Sequence, residues 1–422
     1  MQTPGERLFS ALEKAGMPGI PGEFSVTTLC QEVPRDVLTG IDAFIHIFDA
    51  VTARPSWREA VTKPGPEIAR RERPETCFFS AWDFHLPPDR PDRWQLIEFN
   101  DNGSGFLFAG LINRLFYELS GLGERRDIEP PLAFPAFADH VLGLVEREAR
   151  AFFGELPRGL FVVLDDAESL ERGKFRRELL LLRDLFRGRG WKAEIASPAG
   201  TQWDGGRLLA AGDEVSFIVN RSTDFLWESE VFAPVRDAYR EGRVYVAPNP
   251  FTYVTRSDKR LLELLSRPHR DAELGIRAEE RAVLSAHVPE TWLLRDDNLG
   301  ELARRREELV FKPIHGFAGR GLLESSRVGQ SRLRRLLRQG KGYVAQQRVP
   351  KPCLTVEGAE ATPLWTDLRV WAYRGERFLV SGRASRRPDV LDLTPPGGWL
   401  PTFARTLTDS SGLSTTPEPF RL

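Results

Sequence analysis

The segment WQLIEFNDNGSGF, residues 94–106, closes an apolar run on Glu98, Phe99 and Asn100. Side chains alternate along a strand, so Glu98 and Asn100 share one face and Phe99 takes the other. Two oxygen-bearing side chains at a strand end, ahead of a glycine-rich turn, suit a hard cation. They could equally cap the helix that follows. Farther on, VFKPIHGFAGRG ends a strand on Lys312 and turns through Gly316, Gly319 and Gly321. Glycines let backbone N–H groups approach phosphate oxygens, and a nearby lysine adds charge. No GxxxxGK[ST] occurs, and the glycines lead toward a strand rather than a helix, so this is neither a P-loop nor a dinucleotide fingerprint. Lys259 opens a helix in TRSDKRLL, and YVAQQRV breaks from an apolar strand into a polar edge at Gln346, Gln347 and Val349. Such an edge can present backbone groups to a purine ring between apolar walls. In TDLRVWAYRGE, Asp367 and Arg369 lie two apart on one strand face. A carboxylate is a hard metal ligand, and an arginine beside it can clamp a phosphoryl oxygen. Each item has a structural alternative: Lys312 can snorkel from a strand end, and Asp367 and Arg369 can form a surface cross-strand pair.

These residues need a large scaffold. The chain has 422 residues, more than one ordinary core, which predicts two or three domains. Hydrophobic residues make up 41% and charged residues 28%, a soluble globular composition. The 59 basic and 60 acidic residues leave a net charge of −1, which argues against a nucleic acid or an anionic membrane held by bulk charge. No apolar run is long enough to span a bilayer, and MQTPGERLFSALEKAG lacks the layout of a secretory signal. Cys30, Cys77 and Cys353 are scattered without metal-type spacing, so a cytoplasmic setting is expected.

Three regions follow from the texture. Residues 1–155 carry short helices, the strand WQLIEF and two apolar helices, 104–121 and 137–154. Residues 156–255 alternate strands (GLFVVLDD, WKAEIAS, VSFIVN, RVYVAPN) with amphipathic helices, the pattern of a Rossmann-like unit of parallel strands. Residues 256–422 supply the strand ELVFKPI, the glycine turn, a strand LLESS, the helix SRLRRLLRQ, the strand GYVAQQRV and a long hairpin, TDLRVWAYRGERFLVSGRAS.

Taken in order, Lys259, the strand ending Lys312-Pro with its glycine turn, the QQRV edge and Asp-Leu-Arg resemble the parts of an ATP-grasp enzyme. The Asp-Leu-Arg hairpin is similar to that of tubulin-tyrosine-ligase-like members. The Glu-x-Asn that would normally follow is absent downstream and stands instead at Glu98-Phe99-Asn100. That order resembles the circularly permuted ATP-grasp group, which includes glutathionylspermidine synthetase and eukaryotic-type glutathione synthetase. The resemblance covers residues 256–405, and 78–120 through the short motif FSAWDFHL…LIEFNDNGSG. It departs where glutathione synthetases place a Glu soon after the phosphate-binding Lys, since His315 and Gly316 stand there. No peptidase-like Cys/His pair accompanies it. The resemblance implies an α/β, circularly permuted ATP-grasp fold with a Rossmann-like substrate subdomain. It also implies an ATP- and Mg²⁺-dependent carboxylate–amine ligase that works through an acyl-phosphate, using two Mg²⁺ ions. On this reading Glu98, Asn100 and Asp367 hold metal. Lys259, Lys312, Gly316, Gly319 and Gly321 meet phosphates, and Gln346, Gln347 and Val349 flank the adenine. Arg369 and Arg383 stabilise the transferring phosphoryl group. An ATP-grasp phosphotransferase and a non-catalytic nucleotide-binding protein are the alternatives.

Acceptor-site candidates come from position. Asp83 and His85 in AWDFHL immediately precede the Glu-x-Asn strand, and Asn102 follows it. Asn220 and Arg221, near Asp224, end a strand of the parallel unit, where open α/β sheets bind ligands. Arg221 could grip a substrate carboxylate bidentately or pair with Asp224 or Glu228. The expected partners are a small-molecule carboxylate and amine. Assembly state is left open, a homodimer being one option.

Overall fold

The computed structural model describes residues 4–15, 25–75, 79–316, 321–323, 325, 328–356, 362–388, 391 and 393–406. An antiparallel six-stranded sheet is the centre of the site. Its path runs Gly398–Leu400, Glu376–Ser385, Thr362–Tyr373, Ser80–His85 and Gln95–Asn100, with Cys353–Val356 paired to Thr362–Tyr373. Residues 80–100 therefore lie directly beside the hairpin that spans 362–385, although the paired residues are 284 to 292 positions apart in the chain. One sheet face is apolar. Trp82, Phe84, Phe99, Leu368 and Val370 pack there against Phe44 and Phe48 of the helix Arg35–Thr52. Tight ring contacts fix that layer, including Trp82 with Phe99 at 4.2 Å and Phe48 with Trp82 at 4.6 Å. Period-two alternation then sends the intervening polar residues to the opposite face.

A parallel sheet, Ala193–Ala196, Leu160–Leu164, Asp213–Asn220 and Tyr245–Ala247, lies within residues 156–255. Its order matches the strand–helix alternation read from the sequence. The short antiparallel strands Thr201–Trp203 and Leu208–Ala210 extend it. A three-stranded antiparallel sheet sets Tyr343–Gln347 between Thr291–Leu293 and Leu309–Pro313. Of the expected LLESS strand, residues 322–326, Leu323 bridges to Phe311 and is buried in the core of this sheet, while residues 324 and 326 lie outside the described residues. Strands Gln31–Pro34 and Thr402–Arg405 pair in parallel, tying the front of the chain to its C-terminal part. Among the described residues, no helix is long and apolar enough to cross a membrane.

Candidate active site

Strand register assembles the site. Glu98 lies opposite Asp83, Asp83 opposite Arg369, and Asp367 opposite Arg383. Directly paired residues share a face, so three carboxylates and two guanidiniums form one charged layer above the Trp82–Phe99 core. A register shift after Asp83 accommodates one extra residue, Ile97, beside Glu98. The bulge turns the Ile97 carbonyl outward, and the Lys312 ammonium donates to it at 3.0 Å.

Two lysines arrive from other elements. Lys259 Nζ lies 2.8 Å from Glu98 Oε1 and also donates to the Gly316 carbonyl at 2.6 Å. Lys312, buried, donates to Gln346 Oε1 at 2.6 Å. Burial lowers the Lys312 pKa to about 8, with Glu98 opposing the shift and Lys259 adding to it. The Gln346 amide nitrogen is buried with no hydrogen-bond partner among the described residues. The expected polar edge is instead the end of the central strand of its sheet, where Gln347 is exposed and donates its backbone N–H to the Glu290 carbonyl. The Val349 carbonyl faces His85 Nδ1 at 3.2 Å. Burial, with the Lys351 charge nearby, drops His85 to about 3, so the ring is neutral near pH 7 and its Nδ1–H donates to that carbonyl. Gly321 adopts φ +80° and its carbonyl accepts from the Tyr343 hydroxyl, while Gly319 lies outside the described residues. His315 pairs with the Tyr253 hydroxyl at 2.8 Å.

Asp83 is the hub. Arg369 grips it bidentately at 2.6 and 2.7 Å, and Arg383 reaches it at 2.8 Å. Burial alone would raise the Asp83 pKa, but the two guanidiniums outweigh it and hold the carboxyl well below the usual range. Arg383 also pairs with Asp367 through its side chain and its backbone N–H, the latter at 2.9 Å. Burial opposes the Arg383 charge, yet Asp367 and Asp83 raise its pKa overall. The side chains of Asp367 and Asp83 are only 1% and 6% exposed, against 23% for Glu98. Glu98 is therefore the carboxylate most open to a ligand, and Asp367 is spent on fixing Arg383. The sequence paired Asp367 with Arg369; the cross-strand partnerships Asp83–Arg369 and Asp367–Arg383 were not readable without the register.

The turn after Asn100 is set by glycine. Gly103 has φ +59°, and a Cβ there would sit 1.4 Å from the Phe79 carbonyl oxygen. Just past it, Glu178 accepts from the N–H groups of Gly105 and Leu107 and so satisfies the start of helix Phe106–Leu119. The same carboxylate holds Arg221 at 3.1 Å, with side-chain exposures of 0% and 2%. Arg221 Nε donates to Asn102 at 3.0 Å, and Asn102 returns a bond to the Arg221 carbonyl at 2.8 Å. Asn220 donates to Pro248 and accepts from the Ser222 N–H. Sequence reading gave Arg221 the choice of Asp224 or Glu228; Glu178, forty-three positions upstream, carries no local signal of that role. Between the end of the Glu98 strand and the C-terminal edge of the parallel sheet lies a narrow cleft. Asn100, Asp101, Asn102, Asn220, Ser222 and Tyr253 are among its walls.

Comparison with solved structures gives a match over nearly the whole chain. A glutathione synthetase-like effector from Globodera pallida, in its apo form, aligns with a TM-score of 0.55 at 9% identity, covering 96% of this chain and 98% of that one. The fold is ATP-grasp-like. Two further similarities are lower. A protein provisionally named gamma-glutamylcysteine synthetase, from Methylobacillus flagellatus KT, aligns at TM-score 0.44 and 11% identity, over 88% of this chain and 89% of that one. An ATP-grasp ligase complexed with a minimal precursor aligns at 0.29 and 12% identity, over 58% and 88%. The fold assignment rests on the first. No known family matches the sequence, and no curated protein does. In the ATP-grasp-like fold the charged layer, the two lysines and the Gln346 edge come together on one side of the central sheet.

Proposed function

We propose that the protein is an ATP- and Mg²⁺-dependent carboxylate–amine ligase of circularly permuted ATP-grasp type, joining a small carboxylate to an amine through an acyl-phosphate. The observation that carries this reading is the meeting of Lys259, Lys312 and Glu98. Two cations from separate elements converge on one carboxylate at the end of the Glu-x-Asn strand, at 2.8 Å for Lys259.

The residues present fit a nucleotide and magnesium. The orphaned Gln346 amide, buried beside Lys312, offers a donor to a purine edge. Among the described residues no three His, Cys, Asp or Glu side chains gather to bind a metal unaided. Magnesium commonly takes only one or two carboxylates, the rest coming from water and substrate phosphates. Glu98 and Asn100 would hold it, and Asp367 would join them only on release from Arg383. Bound there, the metal would neutralise phosphate charge that otherwise repels an incoming carboxylate. In the resting site Lys259 is paired with Glu98, Arg369 with Asp83, and Arg383 with both Asp83 and Asp367. Phosphates arriving at Glu98 would draw Lys259 off it, exchanging one ion pair for another at little electrostatic cost. Arg369 and Arg383, locked by Asp83, keep their orientation throughout, as preorganised charge requires.

The cleft beside Asn100 supports binding of the amine. No Lys or Arg is among its walls, and Arg221 is spent on Glu178. Amides, hydroxyls and the Asp101 carboxylate suit an uncharged or cationic nitrogen better than an anion. The test is a panel of carboxylates and amines assayed for ATP-dependent ADP release, with products identified by mass. Amide products dependent on both partners are expected. ATP turnover that yields a stable phosphorylated product, or none with any pair, would refute the ligase reading.

A further inference from the structure

A second cavity, of about 360 Å³, lies away from the charged layer, and the proposed reaction does not use it. It opens between the end of helix Arg35–Thr52, helix Pro55–Thr62 and the π-turn Tyr253–Ser257. Arg58, Glu72, Arg73, Glu75, Phe251 and Arg256 are among its walls.

The three arginines differ in how their charge is met. Arg73 holds Glu75 through both oxygens at 2.7–3.1 Å, and the two side chains are 8% and 0% exposed. It also donates to the Tyr239 carbonyl at 2.8 Å. Arg256 pairs with Asp49 at 2.8 Å and stacks over Phe99 at 5.2 Å. Both are committed to structure. Arg58 is not matched in this way. Its one ion partner among the described residues is Glu72, whose side chain is 65% exposed. Its Nε is buried without an acceptor among the described residues. Its guanidinium lies 5.5 Å above the Phe251 ring, which supplies an apolar wall. An ion pair with so exposed a carboxylate is weak and salt-screened, whereas a planar guanidinium fork binds a carboxylate through two parallel N–H bonds.

We propose that this cavity is a second small-molecule site, taking a small carboxylate bidentately on Arg58 in place of Glu72, against the face of Phe251. The site is separate from the acceptor cleft but shares the π-turn with it: Thr255 and Arg256 line the cavity, Tyr253 and Ser257 the cleft. The proposal does not depend on the ligase reading, because binding can be measured without turnover.

The experiment is calorimetric titration of the full chain with succinate, and with inorganic phosphate and ethylammonium as controls. Succinate is expected to bind the wild type with a dissociation constant of about 1 mM or tighter, as a pocketed ion pair allows. Arg58→Gln should weaken it at least ~10-fold, the loss of a bidentate charge-assisted contact. Arg58→Lys, which keeps the charge without the fork, should fall between. Glu72→Gln should bind succinate at least as tightly as the wild type, because it removes the competitor. Glu72 is exposed, so that variant carries the test even if the Arg58 variants fail to fold. Absence of succinate binding to the wild type, unchanged affinity in Arg58→Gln, weaker binding in Glu72→Gln, or phosphate binding tighter than succinate would each overturn the proposal. Binding of ethylammonium in preference to succinate would overturn it as well.

Discussion

Replacing Glu98 with Gln separates fold from chemistry more cleanly than any other change at the site. The side chain keeps its shape but loses the charge that Lys259 meets at 2.8 Å. Because the two side chains are 23% and 11% exposed, the ion pair contributes about 1 kcal/mol to stability. Lys312 also loses the neighbour that favours its charged form, and its proton becomes easier to remove. Neither effect should unfold the chain, since Glu98 lies on the polar face while Trp82, Phe99 and Phe48 hold the other. The chemical loss is larger. If Glu98 is the carboxylate that admits magnesium, its neutral amide should reduce Mg²⁺-dependent turnover at least ~100-fold, about 2.7 kcal/mol in the barrier. The assay is ADP release at saturating ATP across a magnesium titration, alongside a thermal melt. A melting temperature within a few degrees of wild type with turnover abolished is the expected pair of results. Wild-type turnover in a folded Glu98→Gln protein would refute the reasoning, because no other exposed carboxylate stands in that layer to replace it.

Three further outcomes follow from the same geometry. Asp83→Asn leaves Arg369 buried without its bidentate partner, and should cost about 3–5 kcal/mol in urea unfolding, the usual price of orphaning one member of a buried pair; a cost under about 1 kcal/mol would mean the hub is not structural. Burial lowers the Lys312 pKa to about 8 from the 10.5 of an ordinary lysine, so the unfolded chain binds more protons between those values, and this residue's contribution to stability rises as pH climbs through that window. On the proposed reading its ammonium would meet phosphate, so ATP affinity should weaken as pH passes about 8, and Lys312→Arg should flatten that dependence; an affinity unchanged up to pH ~9.5 would count against phosphate contact by this residue. Gly103→Ala should destabilise by well over ~2 kcal/mol because its Cβ would strike the Phe79 carbonyl, whereas Gly121→Ala, also at positive φ but in open space, should cost only ~1 kcal/mol by thermal melting.

The sequence made the strands that alternate visible, and those with a local turn. The hairpin Thr362–Tyr373 and Glu376–Ser385 turns on Arg374-Gly375, with positive φ at both residues. The parallel strands Leu160–Leu164 and Asp213–Asn220 read as apolar runs because both their faces are buried. The strands Gly398–Leu400 and Thr402–Arg405 escaped notice. They are short, interrupted by Pro401, and exist because they pair with Glu376–Ser385 and with Gln31–Pro34. Long-range pairing of this kind leaves no periodicity in a window of a few residues. Of the expected LLESS strand the described residues give one bridge, from Leu323 to Phe311.

The same distinction governs the site. That Glu98, Asn100 and Lys312 stand at strand ends was legible because strand ends announce themselves locally, and the structure brings Lys259 to Glu98 and Lys312 to the adjoining backbone. Which carboxylate answers which arginine was not legible, because that depends on a register between strands nearly 300 residues apart. Asp83 sits opposite both Glu98 and Arg369 only because the Ser80–His85 strand inserts between Gln95–Asn100 and the hairpin. Arg221 makes the point from the other side. Its place at a strand end suggested a free guanidinium, yet a helix capped by Glu178 closes over it. A buried guanidinium must find a carboxylate, and the nearest one in space is far along the chain. Consequently the cleft proposed for the acceptor is lined by amides and offers no free guanidinium, because a helix start claims Arg221.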